Sequence, residues 1–178
     1  MGKIGLRESE RNNISSPITK PKRKRDNTTH HQMCCQVAKW LQGRWSGKKP
    51  YAHYVAVELV TQGYENTDVF GFNPTYSTMI EIKVSRTDFL RDKQKYSNKF
   101  GRVGDYKYYC CPKDIIKVND LPDKWGLLYI DDNGEIDLIK MADETDTNLY
   151  TERSIICSIM RREGIKKQVF NYRNNEDK

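Results

Sequence analysis

The sequence predicts one mixed α/β domain behind a basic leader, and three observations carry that prediction. Alternating apolar residues mark strands over Tyr51–Val60, Thr67–Phe72 and Met79–Val84. Apolar residues at helical spacing flank them, as Met33, Cys34, Val37, Ala38 and Leu41 before and Ile155, Ile156, Ile159 and Met160 after. The chain has 178 residues, of which 37% are hydrophobic and 31% charged, enough for a single domain with a real core.

The first 27 residues are polar and rich in Asn, Ser, Pro and basic side chains, without sustained periodicity, and so read as a disordered leader. Residues 1–30 hold eight Lys or Arg against three acids, so most of the net charge of +7 lies there. Pro21-Lys22-Arg23-Lys24-Arg25 suits a nucleic-acid arm or a localisation signal, or simply a solvated tail.

The domain is expected over 28–166, with a polar tail over 167–178. Thr28 or Thr29 can cap the first helix, and Gly43 sits where it should end. The strands centred on Val57, Val69 and Ile80 follow, the last two joined by a turn at Asn73-Pro74. Ser85-Arg86-Thr87-Asp88 resembles a capping box for a charged helix running to about Lys99, anchored by Phe89, Leu90 and Tyr96. A fourth strand is expected over Tyr106–Cys111, ended by Pro112. A buried fifth strand, Gly126–Ile130, pairs through an Asn133-Gly134 hairpin turn with a sixth, Glu135–Met141. A closing helix spans Thr147–Arg162.

No apolar run approaches the ~18 residues of a membrane span, and Met1–Glu10 lacks the apolar core of a secretory signal. A cytoplasmic protein is therefore expected. The five cysteines, Cys34, Cys35, Cys110, Cys111 and Cys157, have no disulfide-framework spacing and read as buried, reduced thiols. His30-His31 with Cys34-Cys35 invites a zinc reading. Four ligands cannot converge from one helix at that spacing, however, and the sequence offers no second cluster.

The chemistry is concentrated between Glu58 and Asp92. Period-two geometry puts Glu81 and Lys83 on one strand face, with Ile80, Ile82 and Val84 facing the core. If the neighbouring strands form a hairpin around Asn73-Pro74, Asp68 comes close to Glu81. Two carboxylates and the intervening Ile82 carbonyl form a hard oxygen site suited to Mg²⁺ or Mn²⁺. Such an ion activates water for phosphodiester hydrolysis, and a lysine can orient that water or stabilise developing charge. The rival reading is an ion pair on a solvated sheet face. Glu58 faces the same way as Tyr54 and Ala56 on the first strand and could add a third carboxylate, or be an exposed strand residue. Arg86, Arg91, Lys93, Lys95 and Lys99 on the next helix could contact phosphates, with Tyr96, Tyr106 and Tyr108 stacking on bases. A solvated helix face and core tyrosines are the simpler alternatives.

Val57-Glu58-Leu59, Thr67-Asp68-Val69 and above all Ile80-Glu81-Ile82-Lys83-Val84-Ser85-Arg86-Thr87-Asp88-Phe89 closely resemble the MmcB-type family of DNA repair proteins, within the PD-(D/E)xK nuclease superfamily. The likeness covers about residues 53–132. It implies a restriction-endonuclease-like fold, a mixed central sheet flanked by helices, and Mg²⁺-dependent action on DNA. Asp68 and Glu81 fall on the motif's metal-binding acids and Lys83 on its catalytic lysine. The chain departs from the pattern in three places. Thr28–Gln42 contains no acid where many superfamily members carry one, Gln94-Lys95 stands where a Lys-Trp pair is expected, and Gln94 and Tyr96 are too close for the Gln-x-x-x-Tyr motif of exonuclease-like relatives. The expectation is thus a DNA endonuclease of repair, recombination or restriction from a bacterium or its phage, possible as a homodimer. The alternatives are an inactive DNA-binding module of the same fold and a docking domain whose leader binds nucleic acid.

Overall fold

A computed structural model describes residues 29–43, 49–60, 66–93 and 103–165, with the backbone alone at Asp92 and Lys93. The expected leader, the Thr28 cap, the tail after 166 and the end of the charged helix fall outside these residues. Along the chain come α1 (Thr29–Gln42), β1 (Tyr54–Leu59), β2 (Thr67–Phe72), β3 (Ser77–Ile82), α2 (Arg86–Lys93), β4 (Tyr106–Pro112), β5 (Gly126–Ile130), β6 (Ile136–Lys140) and α3 (Leu149–Arg162). The α/β prediction holds: a six-stranded mixed sheet is flanked by helices.

The strands lie in sequence order, β1 to β6. β1, β2 and β3 are antiparallel, β3, β4 and β5 parallel, and β6 returns antiparallel to β5. The β2–β3 hairpin turns where expected, because the Asn73 side chain accepts from the backbone N–H groups of Thr75 and Tyr76. The β5–β6 turn is built by Asp131, whose Oδ1 accepts from the N–H groups of Asn133 and Glu135, while Gly134 takes a φ of 84°.

Each sheet face has its own apolar core. On one, α1 lays the five predicted residues, Met33, Cys34, Val37, Ala38 and Leu41, against Val69, Ile80, Ile82, Tyr108, Cys110 and Leu128. The approach is close: a Cβ on Gly71 would sit 2.5 Å from Leu41 Cδ2 and 2.8 Å from Ala52 Cβ. At the far edge, Gln36 of α1 packs on the Asn133-Gly134 turn. On the other face, Phe89 of α2 and Ile155 of α3 join Phe70, Met79, Tyr109, Cys111, Trp125 and Leu127. Alternation along β2, β3 and β4 divides the residues between these two layers.

Several expected placements differ. Leu90 is exposed and Phe89 alone anchors the start of α2. Val84 lies beyond the end of β3 and is also exposed, freed from the strand's alternation. Cys157 is exposed on α3, whereas Cys34, Cys110 and Cys111 are buried thiols. α3 starts at Leu149 because Asn148 caps it, its side chain accepting from the N–H groups of Tyr150 and Thr151.

A buried carboxylate locks α3 to the sheet. Glu152 Oε1 accepts from Gly104 N–H at 2.8 Å and Thr147 Oγ1 at 2.9 Å, and lies 2.6 Å from Ser77 Oγ at the start of β3. Glu152→Ala is expected to lower stability by about 2–3 kcal/mol, since it strands the Gly104 N–H and takes an acceptor from the Ser77 and Thr147 hydroxyls. Urea denaturation checks this, with Glu152→Gln, which keeps an acceptor oxygen, expected to lose much less.

Candidate active site

Asp68, Glu81 and Lys83 meet at the C-terminal end of β3. The register Val69↔Ile80, extended by one residue, sets Asp68 opposite Glu81. Here β2 and β3 part, and the Asp68 carboxylate takes over from the backbone ladder: its Oδ2 accepts from Ile82 N–H at 2.8 Å. The N–H and C=O of one strand residue point to the same edge. The Ile82 carbonyl therefore lies on the Asp68 side, while the next N–H, of Lys83, is spent on Cys110 of β4.

Glu81 and Lys83 are buried, at 7% and 5% exposure. Lys83 Nζ donates to Glu81 Oε2 at 3.2 Å and stands 5.8 Å from the centre of the Tyr109 ring. An ion pair of this kind is not the solvated surface pair of the rival reading, because removing either partner would leave a charge in the protein interior.

The sequence reading missed the contribution of α1. His30 Nε2 lies 3.4 Å from Asp68 Oδ2, and His30 Nδ1 lies 3.5 Å from Glu58 Oε1. His31 Nδ1 lies 2.7 Å from Glu58 Oε2. Where an acid was looked for on the first helix, this chain presents two histidines. Glu58 reaches them through a break in β1. Its φ of 49° is left-handed, a conformation that costs a non-glycine residue about 1 kcal/mol or more. Val55 and Val57 pack on the α1 face and Leu59 on the opposite face, so the alternation fails at Glu58. The expectation that Glu58 faces with Tyr54 and Ala56 is corrected on that ground.

The histidine and carboxylate stabilise each other's charged forms. The hydrogen bond His30 donates to Asp68 raises the His30 pKa, against the effect of burial, and the Asp68 and Glu58 charges add to the rise. Burial alone would push the Asp68 carboxyl up, but hydrogen bonds from His30 and Ile82 and the nearby His30 and Lys83 charges leave it below its ordinary value. The His30 contribution is full below its unfolded pKa and fades as pH rises through the raised folded one. The Asp68 contribution is full above its unfolded pKa and fades as pH falls through the depressed folded one. In EDTA, the pair is expected to add up to ~1 kcal/mol between about pH 4 and 6.5. Urea midpoints measured across pH should show His30→Ala losing that increment within the window and converging with the wild type at alkaline pH.

The basic residues are gathered less tightly. Arg86 stands at the start of α2, but Asp120 holds its guanidinium with two bonds, one of 2.7 Å from Nη2. Arg91 is exposed on α2. The Lys93 side chain and Lys95, Tyr96 and Lys99 fall outside the described residues. Tyr108 is a core residue of the α1 face. Tyr106 pairs with Thr78 near the start of β3, away from Glu81.

No family model matches this chain, and no curated protein does. Among solved structures, a protein of unknown function from Silicibacter pomeroyi is similar at a TM-score of 0.46 and 22% identity, covering 66% of this chain and 84% of that one. Among the described residues, no helix is long and apolar enough to cross a membrane.

Proposed function

We propose that this chain is a metal-dependent nuclease that hydrolyses phosphodiester bonds in DNA, in repair, recombination or restriction, more endonucleolytic than exonucleolytic. The observation that carries the reading is the Asp68–Ile82 hydrogen bond. It draws the acid of one strand onto the middle of the Glu81-Ile82-Lys83 segment of the next. The donor chemistry there fits a hard cation: two carboxylates at facing register positions, with a peptide carbonyl on the same edge. Mg²⁺ or Mn²⁺ bound by Asp68, Glu81 and the Ile82 carbonyl would supply an activated water and neutralise charge on the phosphate.

The side chains have separable tasks. Asp68 fixes the distance between β2 and β3 where they part. Glu81 keeps the Lys83 ammonium at the site, and Lys83 stabilises negative charge growing on the phosphate oxygens or orients the attacking water. His30 holds the Asp68 carboxylate from the opposite side. Arg86 and Arg91 lie on the helix that follows and would bind flanking phosphates, which positions DNA without reading its sequence.

Incubating the purified protein with plasmid, single-stranded and branched DNA in Mg²⁺, Mn²⁺ or EDTA tests the reading. Cleavage in either metal and none in EDTA is expected. Binding without cleavage in every arm would leave a DNA-binding module, a reading favoured by the Glu81–Lys83 contact, which engages one oxygen of the second acid.

A further inference from the structure

A second donor set stands beside the acids and differs from them in chemistry. Among the described residues, a His30 nitrogen, the Cys34 thiol and a Glu58 carboxylate oxygen all lie within 4.8 Å of one another. His30 and Cys34 are one helical turn apart on α1, and Glu58 arrives from β1 by virtue of its left-handed backbone. A single atom, His30 Nδ1, makes both measured approaches: 3.6 Å to Cys34 Sγ and 3.5 Å to Glu58 Oε1. A tetrahedral zinc ion with ordinary bond lengths would hold a nitrogen and a sulfur about 3.6 Å apart, and a nitrogen and an oxygen about 3.4 Å apart. The observed separations are those two edges to within about 0.1 Å.

The surrounding contacts are those that ligands of a bound ion require. A ligating histidine gives its other ring N–H to a carboxylate, and His30 Nε2 faces Asp68 Oδ2 at 3.4 Å. A ligating carboxylate is itself held by a neighbour, and Glu58 Oε2 meets His31 Nδ1 at 2.7 Å. The objection raised by the sequence, that one helix cannot supply enough ligands, is removed by a third donor that lies 24 residues from Cys34 in the chain.

We propose that His30, Cys34 and Glu58 form a binding site for a borderline transition-metal ion of the Zn²⁺ class, with the fourth position open to water. The site is separate from the oxygen site of Asp68 and Glu81. Its mixed nitrogen, sulfur and oxygen donors select against Mg²⁺, which takes oxygen ligands and octahedral geometry. On binding, the Cys34 S–H bond breaks, its proton leaves to solvent and the thiolate ligates the ion, with no change in oxidation state. The ion clamps α1 to β1.

Co²⁺, added to the reduced full-length chain in excess Mg²⁺, is the probe. One Co²⁺ per chain is expected, with a thiolate-to-cobalt absorption band in the near ultraviolet. Cys34→Ser should abolish that band, and His30→Ala and Glu58→Ala should each weaken Co²⁺ binding at least ~10-fold. Asp68→Asn should keep the band. Since Cys34 is fully buried, circular dichroism of Cys34→Ser checks its fold, and the partly exposed His30 gives a variant that leaves the core intact. Zn²⁺ in place of Co²⁺ should raise Tm of the wild type by about 5 °C and of His30→Ala by much less. Absence of the band, its persistence in Cys34→Ser, or its loss in Asp68→Asn would overturn the proposal. None of these readouts involves DNA cleavage, so the site stands or falls apart from the nuclease reading.

Discussion

Asp68→Asn is expected to lower DNA cleavage by ~10³-fold or more while leaving the fold unchanged. Asparagine has the shape of aspartate and keeps an oxygen that can accept the Ile82 N–H, so β2 and β3 should part at the same place. What it removes is negative charge, which a cation and its activated water depend on. Lys83→Met should cost ~10²–10³-fold in rate but behave differently in stability. It takes the counter-charge, 3.2 Å away, from the buried Glu81 carboxylate, and so should destabilise the protein by about 3 kcal/mol or more. Glu81→Gln combined with Lys83→Met should recover much of that stability and none of the activity. Rates on the preferred DNA substrate, urea midpoints and DNA affinity, measured together, separate these effects. Unchanged cleavage in Asp68→Asn would remove the site from the mechanism.

Tyr109→Ala is expected to cost about 3–5 kcal/mol. The ring is fully buried in the layer under α2 and α3. It stacks on Trp125 at 4.5 Å and meets Phe89 edge-on at 5.1 Å. Phe89 is the anchor of α2, and the Lys83 ammonium stands 5.8 Å from the centre of the same Tyr109 ring. A cavity there should therefore loosen α2 and free Lys83 to leave Glu81, so activity should fall further than the fraction of unfolded protein explains. Denaturation midpoints with rates measured well below the transition would show both.

The sequence made the strands around the motif legible because local rules govern them. The apolar alternation of β1 to β3, the Asn73 turn and the Asn133-Gly134 turn depend on neighbours a few residues apart, and each is found, with departures only at Glu58 and at the ends of β1 and β3. The pairing of Asp68 with the Glu81-Ile82-Lys83 segment followed from the hairpin once the turn was recognised. What could not be read were contacts between distant segments. His30 and His31 look like helix residues beside a cysteine pair, and only the docking of α1 brings them to Glu58 and Asp68. The kink at Glu58 has no residue signature, since a glutamate is not expected at positive φ. Glu152 was equally hidden: on the sequence it is one more surface acid of α3, yet it is buried against Ser77, 75 residues away. A partial signal for the histidines did exist. The first helix lacked the acid that the resemblance led one to look for, and the two histidines in its first turn can each donate a hydrogen bond to a carboxylate.

The contact between α1 and the Asn133-Gly134 turn bears on the order in which the molecule is made. α1 is the first described element to leave the ribosome, but its apolar face rests on strands up to β5 and its Gln36 on the turn beyond. A nascent chain carrying α1, β1 and β2 has the histidines and two of the acids but no complete sheet to seat the helix on. Its apolar side, Cys34 included, must wait in water or in a chaperone until the 62 residues from Asn73 to Gly134 have been synthesised. Translation pauses before β5 would prolong that interval, and aggregation during synthesis should respond to them more than to pauses placed after Glu135.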